Sequence, residues 1–101
     1  MLPDEQSRMV DAILTRTLPK AATTWIFGSR ATGKVRRASD LDLAIDAGRP
    51  LTRQELLTLG EAFESSDLPF KVDLVDYSSV GTEFRAIIDR TKIAWQGVRD
   101  G

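Results

Sequence analysis

The chain has 101 residues, of which 42% are hydrophobic and 29% are charged, and its formal net charge is −1. This length suits one small domain over residues 1–101, and the composition is that of a soluble globular protein. Because cysteine and histidine are absent, disulfides, thiolate chemistry and histidine bases or ligands are excluded. We expect no direct nucleic-acid binding without a basic balance, and no membrane span without a long apolar run. The absence of cysteine also fits a cytoplasmic location.

The first part of the chain predicts a helix followed by a strand. Residues 3–17 carry apolar side chains at helical spacing, and Pro3 suits a first helical turn. Pro19 ends this helix. Residues 23–27, TTWIF, are β-branched and aromatic, which is typical of a buried strand. This strand leads directly into Gly28.

The rest of the chain alternates between strand and helix patterns. Period-two alternation and apolar composition predict strands at residues 40–46, 71–76 and 92–95. Helical spacing predicts helices at residues 52–65, which begin with a Thr-x-x-Glu capping box, and at residues 83–89. We therefore expect an α/β or α+β domain in which helices cover a sheet.

The segment FGSRATGKV, residues 27–35, contains the spacing of a phosphate-binding P-loop. That loop needs a Ser or Thr after the lysine and a long helix after it. Here Val35 follows the lysine, and only six residues separate Gly33 from the next strand, so we reject the P-loop. Gly28 and Ser29 still allow a different phosphate site, because a glycine lets a ligand approach the backbone closely. A tight turn with a serine cap is the alternative.

Acidic residues at alternating positions indicate a cation site. Asp40 and Asp42 stand two apart on one predicted strand, so their side chains project from the same face. Two such carboxylates repel each other unless a cation neutralises them, and hard oxygen ligands favour Mg²⁺ or Mn²⁺. Asp73 has a comparable position on the next strand and adds a third carboxylate if the two strands are neighbours. Asp76 is the alternative third carboxylate, and a solvated acidic face is the alternative to a site.

The segment GSRATGKVRRASDLDLAI, residues 28–45, resembles the signature of the DNA polymerase β nucleotidyltransferase superfamily. Within that superfamily the chain is similar to the minimal nucleotidyltransferase (MNT) domains. The resemblance implies a polymerase β-like fold with a small mixed sheet of four to five strands and helices packed on one side. It covers nearly the whole chain.

The resemblance also implies roles for individual residues. Asp40 and Asp42 would bind Mg²⁺ ions that bridge the triphosphate of ATP, and Asp73 would be the third catalytic and metal-binding carboxylate. The nucleotide-binding residues would be Gly28, Ser29 and Arg30, and a solvated or ion-paired Arg30 is an equal alternative. A basic cluster of Lys34, Arg36 and Arg37 could attract ATP or an acidic partner, although such a cluster is usually a solvated face.

Small MNT proteins resemble the antitoxin of a type VII-like toxin–antitoxin pair, whose partner is a helical HEPN toxin with RNase activity. The implied reaction transfers AMP from ATP to a tyrosine hydroxyl of that toxin. Two alternatives stay open: an antitoxin that acts by contact alone, and a nucleotidyltransferase that modifies a small molecule such as an antibiotic. A homo-oligomer or hetero-oligomer is compatible with each.

Overall fold

The computed structural model describes residues 2–31 and 40–95. The helices are α1 (Asp4–Thr17), α2 (Arg53–Glu64) and α3 (Thr82–Thr91), and the strands are β1 (Thr23–Phe27), β2 (Leu41–Asp46), β3 (Val72–Asp76) and β4 (Ile93–Ala94). A single 3₁₀ turn, Gly28–Arg30, follows β1. The predicted elements are therefore confirmed in order and type, with boundaries that differ by at most two residues.

The four strands form one mixed sheet in the order β3-β2-β1-β4. Strand β1 is antiparallel to both β2 and β4, whereas β2 and β3 are parallel. The parallel pair follows from the crossover through α2, since parallel neighbours need a long connection. This order confirms the expected mixed sheet and makes β2, which carries Asp42, a central strand.

Helices α1 and α2 pack on one face of the sheet. The main core joins Val10, Ile13 and Leu14 of α1 and Leu59 and Phe63 of α2 to the side chains of Ile26, Leu41, Leu43 and Ile45. Helix α2 begins at the predicted capping box: the Glu55 amide donates to Thr52 Oγ1 at 3.0 Å, and the Thr52 amide donates to Glu55 Oε1 at 2.8 Å. The core face of the sheet is the one on which Leu41, Leu43 and Ile45 of β2 lie.

Helix α3 lies on the opposite face, so the expectation that all helices pack on one side is wrong. Ile88 of α3 is fully buried in a second, smaller cluster with Phe27 and Ala44, and Trp25 and Val75 pack against it. The physical reason is that the second face of the sheet is apolar at these positions and would otherwise be exposed to water. Among the described residues, no helix is long and apolar enough to cross a membrane.

Candidate active site

Asp42 and Asp73 lie side by side on the parallel strands β2 and β3. Their Cα atoms are direct register partners between β2 and β3. Because side chains alternate across a strand, both carboxylates project from the face opposite Leu41 and Leu43, which belong to the main core. The two acidic side chains that the sequence placed on different strands are therefore neighbours on the face that carries α3.

The surroundings of Asp42 disfavour the ionised form of its carboxyl group. Burial raises the pKa of Asp42 above its ordinary value, and the charges of Asp73 and Asp40 raise it further. A hydrogen bond between the Asp42 and Asp73 carboxyl groups acts in the same direction. A divalent cation would relieve this repulsion, because both carboxylates can bind its positive charge.

Asp40 is less closely integrated into this pair. It lies one residue before β2 and is exposed, although its charge contributes to the raised pKa of Asp42. Lys71 approaches Asp73 from the same face, with 3.7 Å between Nζ and Oδ1. Within residues 2–31 and 40–95, no group of three acidic side chains is gathered closely enough to hold a metal ion. The structure thus brings two of the three predicted carboxylates together, and the metal role of all three stays a prediction.

Gly28 lies against Asp42 on the side of β2 that faces away from β3. Its φ of +76° lies in the left-handed region, and a Cβ built on it would collide with Oδ2 of Asp42. The neighbouring Phe27 is the Cα register partner of Asp42, which explains why the turn passes directly over the carboxylate. A side chain at position 28 would therefore displace the Asp42 carboxylate, and the carboxylate oxygens of Asp42 and Asp73 are ligands of the kind that a divalent cation prefers.

The backbone of Ser29 lies in the 3₁₀ turn between Gly28 and Arg30. This arrangement fits the predicted close approach of a ligand to the main chain, and the nucleotide-binding roles of Gly28 and Ser29 stay predictions. The basic cluster of Lys34, Arg36 and Arg37 lies outside the described residues.

Arg30 is buried rather than directed to solvent. Only 7% of its surface is exposed, and its guanidinium carbon lies 4.4 Å from the centroid of the Phe70 ring. Phe70 packs against the main core. The predicted contact of Arg30 with a phosphate stays a prediction.

Asp76 is excluded as a partner of Asp42 by its position. It pairs with Ile45 and therefore faces the main core side of the sheet. Its Oδ2 accepts hydrogen bonds from the Leu51 amide at 2.9 Å and from Ser79 Oγ at 2.6 Å. Asp76 joins the end of β3 to the segment that enters α2, so Asp73 is the one of the two that shares a face with Asp42.

Phe84 is a neighbour of the site that the sequence did not reveal. Its ring meets that of Phe27 edge to face, with 5.9 Å between centroids, and 40% of its surface is exposed. In the sequence Phe84 is only one apolar residue of an amphipathic helix, and helices were expected on the other face. A signal for its position would have required knowing that α3 covers the second face of the sheet.

Comparisons with known proteins identify the family of the chain. A family model described as polymerase beta, nucleotidyltransferase, matches residues 10–94. A curated relative from Haemophilus influenzae, named probable protein adenylyltransferase MntA, is 41% identical over 95 residues, which are 94% of this chain and 82% of the relative.

Solved structures share the fold. A toxin–antitoxin crystal structure with AMP-PNP superposes with a TM-score of 0.74 and 27% identity, over 92% of this chain and 74% of that one. A complex of a tri-AMPylated HEPN toxin with an MNT antitoxin from Shewanella oneidensis gives a TM-score of 0.68 at 21% identity, over 95% of this chain and 74% of that one. The latter likeness is one of fold alone. Since the family model spans most of the chain and includes both neighbouring carboxylates, the protein belongs to the polymerase beta nucleotidyltransferase family.

Proposed function

We propose that the protein transfers AMP from ATP to a hydroxyl group of a protein, and that it acts as the antitoxin of a toxin–antitoxin pair. The observation that carries this proposal is the juxtaposition of Asp42 and Asp73 beneath the Gly28 turn. Phosphoryl transfer requires carboxylates that hold a divalent cation and backbone groups that bind the phosphates, and this pair of carboxylates next to a backbone turn suits that requirement.

In the proposed reaction, the acceptor hydroxyl oxygen attacks the α-phosphorus of ATP. The bond between that phosphorus and the oxygen that bridges to the β-phosphate breaks, so AMP is transferred and pyrophosphate leaves. Asp73 accepts the proton of the hydroxyl, and the backbone of Gly28 and Ser29 binds the triphosphate. Asp42 and Asp73, with Asp40, would hold Mg²⁺ or Mn²⁺, which supplies positive charge that stabilises the phosphates when bound.

The proposed acceptor is a tyrosine of a helical HEPN-type partner. Support comes from the Haemophilus relative, which is named a protein adenylyltransferase, and from a structural neighbour in which an MNT antitoxin is bound to an AMPylated HEPN toxin. A protein acceptor also suits the site physically. The side chain of Asp73 is 43% exposed, so a partner surface can reach it.

The test combines the purified chain, ATP, Mg²⁺ and a HEPN-type helical protein as the candidate partner. We expect the wild-type chain to add AMP to a partner tyrosine, located by peptide mass spectrometry, and to suppress the toxicity of the partner in cells. Asp42→Asn and Asp73→Asn should abolish both effects, while Asp67→Asn, an exposed aspartate outside the site, should abolish neither.

The opposite result is equally informative. If Asp42→Asn binds the partner and suppresses its toxicity as well as the wild type does, the protein neutralises by contact and the transfer is unnecessary. If AMP appears on a small molecule in the absence of any protein acceptor, the proposed substrate class is wrong.

A further inference from the structure

Arg30 is a charged residue in an unusual position. It is one of two buried polar or charged residues among those the structure describes, the other being Thr24. Arginine is almost never fully buried unless its charge is compensated. The aromatic ring of Phe70, 4.4 Å from the guanidinium carbon, provides favourable cation–π contact of the kind that arginine prefers. The guanidinium is thus held inside the protein rather than presented to a ligand.

The Arg30–Phe70 contact closes a ring of interactions around the site. Gly28 lies against Asp42, Asp42 pairs with Asp73, and Asp73 lies three residues after Phe70. Arg30 and Gly28 belong to the same 3₁₀ turn, so the stacking contact joins the two ends of this chain of neighbours.

The chain next to Phe70 is fixed to the sheet. The Leu41 amide donates a hydrogen bond to the Lys71 carbonyl at 2.9 Å, at the start of the parallel pair. Phe70 itself packs against the main core. A turn that is clamped to Phe70 is therefore held at a fixed distance from the start of β3, and hence from Asp73.

We propose that Arg30 is a positioning residue, which sets the Gly28–Arg30 turn relative to Asp73 through its contact with Phe70. This inference rests on the proposed function, in which the turn binds the triphosphate and Asp73 accepts the hydroxyl proton. Displacing one from the other misaligns the attacking oxygen and the phosphorus, and errors of about 1 Å can cost roughly 100-fold in rate. Arg30 acts on the reaction through the turn and does not bind the phosphates.

Two substitutions test this role because they remove opposite sides of one contact. Arg30→Met and Phe70→Leu should each lower kcat for AMP transfer by about tenfold or more, with less than about a twofold change in the dissociation constant of a nonhydrolysable ATP analogue. The double variant should be no slower than the slower single variant, because both changes break the same link. Phe70→Tyr keeps the ring and should restore near wild-type kcat.

To distinguish positioning by Arg30 from a role in stability alone, kcat is calculated for the folded fraction of each variant. Thermal unfolding gives that fraction. If Arg30→Met and Phe70→Leu do not fold, Arg30→Lys is the milder substitution that tests the contact, and Phe70→Tyr is its control. The kcat of Arg30→Lys should be lower than that of the wild type, because an ammonium lacks the planar stacking group. An unchanged kcat in the folded Phe70→Leu variant, together with weaker nucleotide binding in Arg30→Met, would show that Arg30 is a phosphate ligand and overturn the proposal.

A spectroscopic measurement distinguishes failure of this inference from failure of the proposed function. Amide resonances of Gly28 and Asp73 in isotope-labelled protein should shift in both Arg30→Met and Phe70→Leu. If they shift while the wild type transfers no AMP, the proposed function is wrong but the clamp exists. If the Gly28 resonance is the same in Phe70→Leu as in the wild type, the clamp does not exist.

Discussion

Gly28 and Gly48 share a left-handed backbone conformation but differ in their surroundings. Their φ angles are +76° and +74°, yet a Cβ would strike Asp42 at the first position and meet nothing within 4 Å at the second. An alanine at either position costs about 1–2 kcal/mol of backbone strain. The pair therefore separates the effect of strain from the effect of filling the site.

We predict that Gly28→Ala lowers AMP transfer by roughly 100-fold, because the added methyl group displaces the Asp42 carboxylate. Gly48→Ala should lose similar stability from strain and keep its activity. Urea unfolding and the transfer assay measure the two quantities on the same samples. Equal activity in the two variants would mean that the close approach of Gly28 to Asp42 has no catalytic importance.

Asp42 also predicts a dependence of stability on pH. Burial and the charges of Asp73 and Asp40 raise its pKa in the folded protein, so the folded state binds more protons than the unfolded state between the ordinary and the raised value. By linkage, the free energy of unfolding falls as the pH rises through that window. Ionised Asp42 therefore destabilises the folded protein fully at pH values above its raised pKa and not at all at pH values below its ordinary pKa.

In the presence of a chelator, we therefore expect Asp42→Asn to be more stable than the wild type at neutral pH. The difference between the two proteins should shrink toward zero as the pH falls below the ordinary range of an aspartate. Urea unfolding at a series of pH values measures it, and taking the difference removes the contributions of other groups such as Glu55 and Asp89, whose pKa values are lowered. A difference that does not vary with pH contradicts the proximity of these carboxylates.

At the scale of the element, strand β3 carries two aspartates with separate tasks. Asp73 faces Asp42, whereas Asp76 accepts hydrogen bonds from Leu51 and Ser79 on the other side of the sheet. The sequence alone did not decide between them, because the predicted strand of residues 71–76 contains both and its register against the neighbouring strand is not a local feature. The register of β3 against β2 decides it, since a slip of one residue exchanges the two faces.

We predict opposite effects for the two aspartates. Asp76→Ala should destabilise the protein by about 1–3 kcal/mol, because it leaves hydrogen-bond donors without an acceptor, while the folded protein still transfers AMP. Asp73→Asn should leave the free energy of unfolding close to that of the wild type or higher and should abolish transfer. Unfolding and transfer measurements on both variants give the answer, and loss of transfer in folded Asp76→Ala would contradict the assignment.

The position of helix α3 on the sheet could not be predicted from its sequence pattern. Its amphipathic spacing predicted a helix, but the apolar stripe of a helix does not say which face of a sheet it covers. That choice depends on Trp25, Phe27 and Ala44, which alternate with the main core residues and form an apolar second face. Strand alternation predicted which residues share a face, and only the assembled sheet shows that this second face has a helix of its own.

Neighbouring isoleucines of α3 test its packing. Ile88 is fully buried, whereas 53% of Ile87 is exposed. Ile88→Ala should therefore cost about 2–5 kcal/mol of stability, and Ile87→Ala should change it by no more than about 0.5 kcal/mol. Thermal or urea unfolding measures both. Similar small losses would indicate that α3 does not pack on the second face of the sheet.

At the scale of the whole molecule, two features follow from the sequence and two do not. Strand alternation predicted the strands, and the spacing of Gly-Ser and Asp-x-Asp, through the family resemblance, predicted that Asp42 lies opposite the Gly28 turn. The proximity of Asp42 to Asp73 depends on β2 and β3 being neighbours, which the sequence left open. The burial of Arg30 against Phe70 joins residues forty positions apart, and no local pattern reports such a contact. Long-range contacts of this kind fix how the two sides of the site are spaced, so they must come from the folded structure.

The central claim is that Asp42 and Asp73 direct the transfer of the α-phosphoryl group together with its nucleoside. The most direct measurement compares ATP labelled at the α-phosphorus with ATP labelled at the γ-phosphorus, each incubated with Mg²⁺, the protein and its helical partner. We expect the partner to gain the α label but not the γ label, and to gain neither label when the protein carries Asp42→Asn. Transfer of the γ label, or undiminished α labelling by Asp42→Asn, would contradict the central claim.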